Sequence, residues 1–264
     1  MQISKIAEKA LAIVNETANF IRKSRLQLSA GDVSYKLDKS LVTTIDLQSE
    51  ERLVTGLQKL IPESNFLAEE KHKENPLSHL TWIIDPIDGT TNFVHNYPNY
   101  CISVALWYND RIVLGIVHEI STGEVFWSHS ESGVAYLNKT ALKVSTSRTL
   151  GESILATGFP SSAFDKIDIY LKHFRDFMQC TQGIRRLGSA AMDLAYVASG
   201  RCDGFFEYDL KPWDVAAGAY LVQKAGGMVT DFSGGNNYLL GGEMLASNNW
   251  IHREFLKHFS KDLI

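Results

Sequence analysis

Residues 82–98 hold, at close spacing, the residue types that phosphoryl chemistry needs. Asp85 and Asp88 stand three positions apart, with Pro86 between them and Gly89 behind. The apolar run 81–85 reads as a buried strand that ends on Asp85, and Pro86, Asp88 and Gly89 favour a turn on which both carboxylates converge. Two carboxylates ionised side by side repel each other, and a bound divalent cation relieves the repulsion. Taken bare, the same spacing also describes a plain Asp-Gly turn in which Asp85 caps a helix. The next residues, Gly89-Thr90-Thr91-Asn92, add a glycine and two hydroxyls, so N–H groups at a helix start can cradle a phosphate there. A second group, residues 212–227, puts Pro212 and Asp214 at a helix start, followed by the small residues Ala216, Ala217, Gly218 and Ala219. By itself that group reads as helix-start chemistry and close packing. No HxxxH or HxH pair occurs among the eight histidines, and Cys101, Cys180 and Cys202 form no CxxC pair. A cysteine-built zinc site is therefore disfavoured, and free thiols in a reducing compartment are expected.

The elements that must position these residues are visible in the periodicity. Ile3, Ile6, Ala7, Ala10, Ile13, Val14, Phe20 and Ile21 recur at helical steps, as do Leu53, Val54, Leu57 and Leu60 ahead of Pro62. The polar stretch 28–43 between them reads as a loop. Residues 101–108 and 111–120 are rich in Val and Ile and flank Asn109-Asp110; with 124–127 and 133–137 they predict an antiparallel meander. From residue 151 onward, β-like runs at 153–157, 204–208, 227–232 and 243–247 alternate with helical runs near 163–180, 189–199, 213–225 and 249–260. That alternation points to layered sheets with helices packed on them. With no internal repeat and no linker, residues 1–264 are expected to form one domain, with a subdivision near 145–160.

Composition narrows the classes. At 264 residues, 45% hydrophobic and 21% charged, the chain can bury a sizeable core, which excludes disordered, collagenous and small disulfide-built classes. The net charge of -4 supplies no global field for nucleic acid or anionic lipid. Lys5, Glu8, Lys9 and Glu16 interrupt the N-terminal apolar residues, which suits neither a signal peptide nor a membrane span and leads to a cytoplasmic expectation.

Asp85-Pro86-Ile87-Asp88-Gly89-Thr90-Thr91-Asn92-Phe93 together with Trp213-Asp214-Val215-Ala216-Ala217-Gly218 resembles the inositol monophosphatase family. Residues 41–46, the Glu69-Glu70 pair and Gly188-Ser189-Ala190-Ala191 extend the resemblance, in family order, over nearly the whole chain. It implies an α/β (α+β) fold, a layered αβαβα sandwich of the inositol monophosphatase and fructose-1,6-bisphosphatase type, assembled as a homodimer. It implies a lithium-sensitive phosphoric monoester hydrolase using two or three Mg²⁺ ions. By resemblance Glu69, Asp85, the Ile87 carbonyl, Asp88 and Asp214 hold metal, Glu69, Thr90 and Asp46 are catalytic, and Thr90 with Asp46 orients the attacking water. Main-chain N–H groups of Gly89 and Thr90 hold phosphate, and Asp88, the main chain at Ala190 and the Glu207 carboxylate read the hydroxyls of the leaving alcohol. Every implied ligand atom is oxygen, which suits Mg²⁺ better than Zn²⁺.

The resemblance makes myo-inositol monophosphate the expected substrate. Histidinol phosphate, fructose 1,6-bisphosphate and NADP phosphatases share the metal core and stay open, whereas Thr91 and Asn92 disfavour the 3′-phosphoadenosine phosphate branch. Some bacterial relatives are partners of transcription complexes. For such a role in binding RNA or polymerase, Arg185-Arg186 is the compact basic pair at hand, although it reads more readily as a solvated or phosphate-facing structural pair. Ala68 and Ile45 depart from the family pattern, which usually has glycine before the paired glutamates and commonly alanine before the aspartate; neither change removes a ligand.

Overall fold

The computed structural model describes residues 1–36, 41–73 and 75–260. The chain order begins α1 (Ile3–Arg25), β1 (Val33–Tyr35), β2 (Leu41–Thr43), α2 (Thr44–Leu60), β3 (Asn65–Ala68), β4 (Leu80–Asp88) and α3 (Thr90–Val94). Then come β5 (Cys101–Tyr108), β6 (Ile112–Glu119), β7 (Val125–His129), β8 (Tyr136–Leu137), β9 (Thr140–Ala141) and β10 (Ile154–Thr157). The remainder is α4 (Ile167–Cys180), β11 (Gly183–Arg185), α5 (Ala190–Ala198), β12 (Gly204–Tyr208), α6 (Pro212–Lys224), β13 (Met228–Thr230), β14 (Glu243–Ser247) and α7 (His252–Ser260).

Strands β3 to β9 pair in chain order into a seven-stranded sheet, parallel only between β3 and β4. A five-stranded sheet runs β11-β10-β12-β14-β13. Side chains alternate across each sheet because successive Cβ atoms point to opposite faces. In the larger sheet Trp82, Ile84, Val104 and Ile116 pack with Ala10, Val14 and Leu53 of α1 and α2, while Ile83, Ala105 and Val117 face the core that holds α5 and α6. In the smaller sheet Ala156, Phe205 and Ala246 face that same core, and Leu155, Phe206 and Leu245 face Tyr170, Phe177, Phe255 and Phe259 of α4 and α7. The result is five layers: helices, sheet, helices, sheet, helices.

The small residues of α6 earn their place in the middle layer. A Cβ on Gly218 would stand 2.5 Å from Leu194 Cβ, and one on Gly115 of β6 would stand 3.0 Å from the Ala217 carbonyl oxygen. Small residues on both sides therefore let α6 approach α5 and the sheet closely, and they fix where its first turn, with Asp214, emerges.

The structure adds β11 to the expected strands and differs from expectation at two further places. The polar stretch 28–43 is not all loop: β1 pairs antiparallel with β2, from Val33 opposite Thr43 to Tyr35 opposite Leu41. Three-residue arms are too short to show alternation in sequence; residues 37–40 lie outside the described residues. Strand β4 does not stop at Asp85 but runs to Asp88, with its register against β5 slipping between the two aspartates. Pro86 sits in that irregularity, where a strand tolerates a missing N–H.

Candidate active site

The site is built where the first turns of helices meet strand ends. Thr43 caps α2 and donates its N–H (2.8 Å) and its hydroxyl (2.5 Å) to Asp46 Oδ2. Across the site, the Thr90 hydroxyl lies 3.1 Å from Asp46 Oδ1 and 3.0 Å from the Ile87 carbonyl oxygen, so its single proton has two acceptors in reach. Burial pushes the Asp46 carboxyl up to about 6, against the hydrogen bonds from Thr43 that stabilise its charge.

The slip in β4 swings Asp88 under the next turn. Gly89 adopts φ +94, and a Cβ there would meet the Asn99 and Gly188 carbonyl oxygens at 3.0 and 3.2 Å, so both conformation and space call for glycine. Asn92 Nδ2 lies 2.9 Å from the Asn99 carbonyl oxygen and 2.7 Å from that of Leu187, pinning this turn to the segment that leads into α5. Asp88 Oδ2 accepts from the Ser189 hydroxyl and the Ala191 N–H, both at 2.7 Å. Asp85 Oδ1 accepts from the Ile87 N–H at 2.9 Å, and Asp214 Oδ2 from the Lys211 N–H at 2.7 Å. Glu69 leaves the end of β3 on a loop clamped by the buried Glu50, which accepts from the Glu70 and Lys71 N–H groups at 2.7 and 2.9 Å.

Glu69, Asp85, Ile87, Asp88, Gly89, Thr90 and Asp214 all line one cavity of about 260 Å³, together with Arg186. Asp46 stands behind Thr90 instead of on the wall. An adjoining cavity of about 160 Å³ shares Asp88, Arg186 and Asp214, and adds Ala190 and Glu207. His95 is exposed at the end of α3 and lines neither cavity.

Charge in the larger cavity is far out of balance. Burial first, then Glu69, Asp88 and Asp214, drive the Asp85 carboxyl well above the usual carboxylate range; Asp214 is raised by burial and by Asp88 and Glu69. Asp88 is pushed up to about 6 by burial, against its bonds from Ser189 and Ala191. Lys36 Nζ stands 2.6 Å from Glu69 Oε1 and 2.8 Å from Glu70 Oε1, an ammonium where the acidic cluster calls for positive charge. Burial alone would lower the Lys36 pKa, but the two carboxylates outweigh it and hold the lysine charged. An all-oxygen donor set, a surplus of buried negative charge and an ammonium standing in at Glu69 together fit a hard divalent cation. Among the described residues no three acidic, His or Cys side chains stand close enough to hold an ion without adjustment.

The sequence profile of the inositol monophosphatase family matches residues 2–263. The chain belongs to the inositol monophosphatase family. "Nus factor SuhB" of Escherichia coli (strain K12) is 37% identical over 255 residues, 96% of this chain and 95% of the relative. The extragenic suppressor protein suhB of Bartonella henselae superposes with a TM-score of 0.89 at 33% identity, covering 98% of this chain and all of that one. A Thermotoga maritima IMPase superposes with a TM-score of 0.86 at 34% identity, over 95% of this chain and 94% of that one. The layered αβαβα fold is thus the family's, and membership supports phosphatase activity as the general class. No helix among the described residues is long and apolar enough to cross a membrane.

Several contributors escape sequence reasoning. Glu50 and Asn92 act through loops distant in sequence. Gly158 faces the smaller cavity, and a Cβ there would fall 2.0 Å from Glu207 Oε1, so the missing side chain is what makes room for that carboxylate. Asp193, on the same wall, carried a signal: it is the one charged residue in the otherwise apolar run 190–198.

Proposed function

We propose that this chain is a Mg²⁺-dependent phosphatase that hydrolyses myo-inositol monophosphate to inositol and phosphate. The observation that carries the reading is the Thr90–Asp46 pair, 3.1 Å apart, set against a cavity walled by Glu69, Asp85, Asp88 and Asp214. Those four carboxylates and the Ile87 carbonyl would hold the metal. When bound, Mg²⁺ supplies charge neutralisation and makes water more acidic.

The chain's own groups supply the rest. With its proton given to Asp46 Oδ1, the Thr90 hydroxyl turns a lone pair toward the cavity and accepts a hydrogen bond from a water there. That orients the water for in-line attack on phosphorus, and the proton it sheds passes through Thr90 toward Asp46. The Gly89 and Thr90 N–H groups, at the start of α3, donate to phosphate oxygens. Arg186 lines both cavities and adds a positive charge beside the ester. The leaving alcohol lies in the smaller cavity, where the Glu207 carboxylate and the main chain at Ala190 take its hydroxyls. Water is the nucleophile: its oxygen bonds phosphorus as the ester P–O bond opposite it breaks, the leaving alkoxide takes up a proton from solvent water, and no phosphoenzyme forms.

Phosphate release with Mg²⁺ from inositol 1-phosphate, histidinol phosphate, fructose 1,6-bisphosphate and NADP tests this, compared as kcat/KM. Inositol 1-phosphate is expected to lead. A lead for histidinol phosphate or another ester replaces the substrate and keeps the chemistry; no Mg²⁺-dependent release from any of them refutes the reading.

The name of the Escherichia coli relative, a Nus factor, supports a second reading: binding to a transcription complex. Both arginines are exposed, but Arg186 lines the site and lies over the Phe159 ring at 5.6 Å, whereas Arg185, at the end of edge strand β11, lines neither cavity, which leaves Arg185 for a partner. Under this reading Arg185→Glu removes capture of the transcription complex with hydrolysis intact, and unchanged capture refutes the surface.

A further inference from the structure

Each acid described so far at the site has a hydrogen-bonding partner except Glu207, and one further acid joins it. Asp193 lies in α5 with 1% of its surface exposed, and its Oδ1 is buried without a hydrogen-bond partner. Asp193 lines the smaller cavity together with Glu207. Asp209, another acid on that wall, accepts from the Ser162 and Ala163 N–H groups and from Lys211. The start of α5 favours negative charge nearby, but a helix dipole does not fill a lone pair. A carboxyl oxygen shut away from water without a partner is a standing cost to the fold. Burial first and then Asp193 raise the Glu207 carboxyl well above its ordinary range, and burial with Asp88 does the same to the Asp193 carboxyl.

With Asp88 and Asp214 shared with the larger cavity, an ester whose phosphate sits there places its alcohol between Glu207 and Asp193. We propose that Asp193 is a specificity-determining residue which, with Glu207, receives hydrogen-bond donors of the leaving alcohol, so that the site prefers phosphate esters of polyols or amino alcohols over esters that bring no donor. The inference rests on the phosphatase reading above. It deepens that reading by adding a second acceptor to the alcohol subsite. Donor-rich alcohols gain because a site built to be hydrogen-bonded penalises an analogue that leaves its polar groups unpaired.

The test compares wild type, Asp193→Leu and Asp193→Asn on inositol 1-phosphate, histidinol phosphate and p-nitrophenyl phosphate, whose leaving group brings no donor. Leucine matches aspartate in heavy-atom count and suits an apolar helix, so the variant is expected to fold with an equal or higher Tm. In Asp193→Leu, kcat/KM on the better of the two donor-bearing esters is expected to fall about 10- to 100-fold, carried largely by KM, with p-nitrophenyl phosphate within about threefold. Asp193→Asn keeps an acceptor and loses the charge. It is expected to hold most activity where a hydroxyl is bound and to lose as much as leucine where an ammonium is bound, which separates the two donor types. Equal losses on all three esters, the mark of a merely structural role, overturn the proposal, as does no loss on any. A wild type that hydrolyses none of the three sinks the inositol and histidinol readings, and one that also leaves fructose 1,6-bisphosphate and NADP intact sinks the phosphatase reading instead. In that case the Tm shift produced by inositol with inorganic phosphate decides: a shift lost in Asp193→Leu supports the acceptor role, and an equal shift in both, or none in wild type, overturns it.

Discussion

Replacing Gly158 by alanine should change which ester this protein prefers while leaving its fold almost untouched. The new Cβ would lie 2.0 Å from Glu207 Oε1 and 2.3 Å from both Cδ and Oε2, whereas real Cβ contacts stay beyond 3.0 Å. The carboxylate must therefore retreat by about 1 Å or more, out of the alcohol cavity's wall. What moves is the far end of a flexible side chain, so the cost is that of an off-rotamer glutamate, about 0.5–1.5 kcal/mol. Part of it is offset by the lower unfolded-state entropy of alanine, worth about 0.4–1 kcal/mol, so Tm should move by a few degrees at most. A misplacement of about 1 Å at a group that reads substrate can cost on the order of 100-fold. We expect kcat/KM for inositol 1-phosphate to fall about 10- to 100-fold while p-nitrophenyl phosphate stays within about threefold. Steady-state kinetics on the two esters, beside a thermal melt, check this. A parallel fall on both esters, or no change on inositol 1-phosphate, would refute the assignment of Glu207 to the alcohol and of Gly158 to its accommodation.

Two further outcomes follow from the buried acids. Asp88→Asn keeps the shape of a side chain held by Ser189 and Ala191 and removes one of four clustered negative charges. The variant should stay folded, lose at least about 100-fold in kcat, and show a smaller rise in Tm on adding Mg²⁺; full activity in the folded variant would sink the metal assignment. The metal-free protein should also lose stability as pH rises from about 5 to 8. Asp46 and Asp88 titrate near 6 and Glu70 near 7 in the folded chain, above the carboxylates of an unfolded one, so the folded state binds more protons across that window and unfolding releases them. His118 and His252, lowered to about 4 by burial, and His129, also lowered by burial, pull the other way below about pH 6.5 but are outnumbered by the site's raised acids, which include Asp85, Asp193, Glu207 and Asp214 as well. Melts in chelator and in Mg²⁺ across this range should diverge most at pH 8; a chelated Tm that climbs steadily to pH 8 would contradict the clustering.

The legible parts of this molecule were those whose signal is local. The helical repeat of α1, the meander from β5 to β7 and the two acid-bearing motifs each lie within one stretch of chain, and each was readable there. The β1–β2 ribbon and β11 were not, because three-residue strands carry no period and owe their existence to a partner elsewhere. The same divide runs through the site. The Asp85–Asp88 spacing announced itself, but the turn expected to converge the pair is a slipped strand followed by a left-handed glycine. Gly158 had no signal, since its role is to leave space for a residue 49 positions later. Asp193 had one, an acid alone in an apolar helix, and only its burial without a partner shows that packing does not explain it.

Asp46, Asp85, Asp88 and Asp214 share an arrangement that helps hold so much negative charge in one place. Asp46 gives Oδ2 to its own helix cap and Oδ1 to Thr90. Asp85 commits Oδ1 to the Ile87 N–H, Asp88 commits Oδ2 to Ser189 and Ala191, and Asp214 commits Oδ2 to the Lys211 N–H. In each case one oxygen is tied to a main-chain donor of the element that carries it or faces it, and the second oxygen takes no part in that bond. The tied oxygen fixes the side chain's direction and offsets part of its desolvation; the other is left for chemistry. Placing Asp46 and Asp214 in helix first turns adds the favourable end of the macrodipole to each. Glu207 and Asp193 do not follow this pattern: no donor from the fold holds the carboxyl of either, and both line the smaller cavity. Acids whose orientation is fixed by the protein suit a cation that demands fixed geometry. Acids left without internal donors suit a ligand that brings its own.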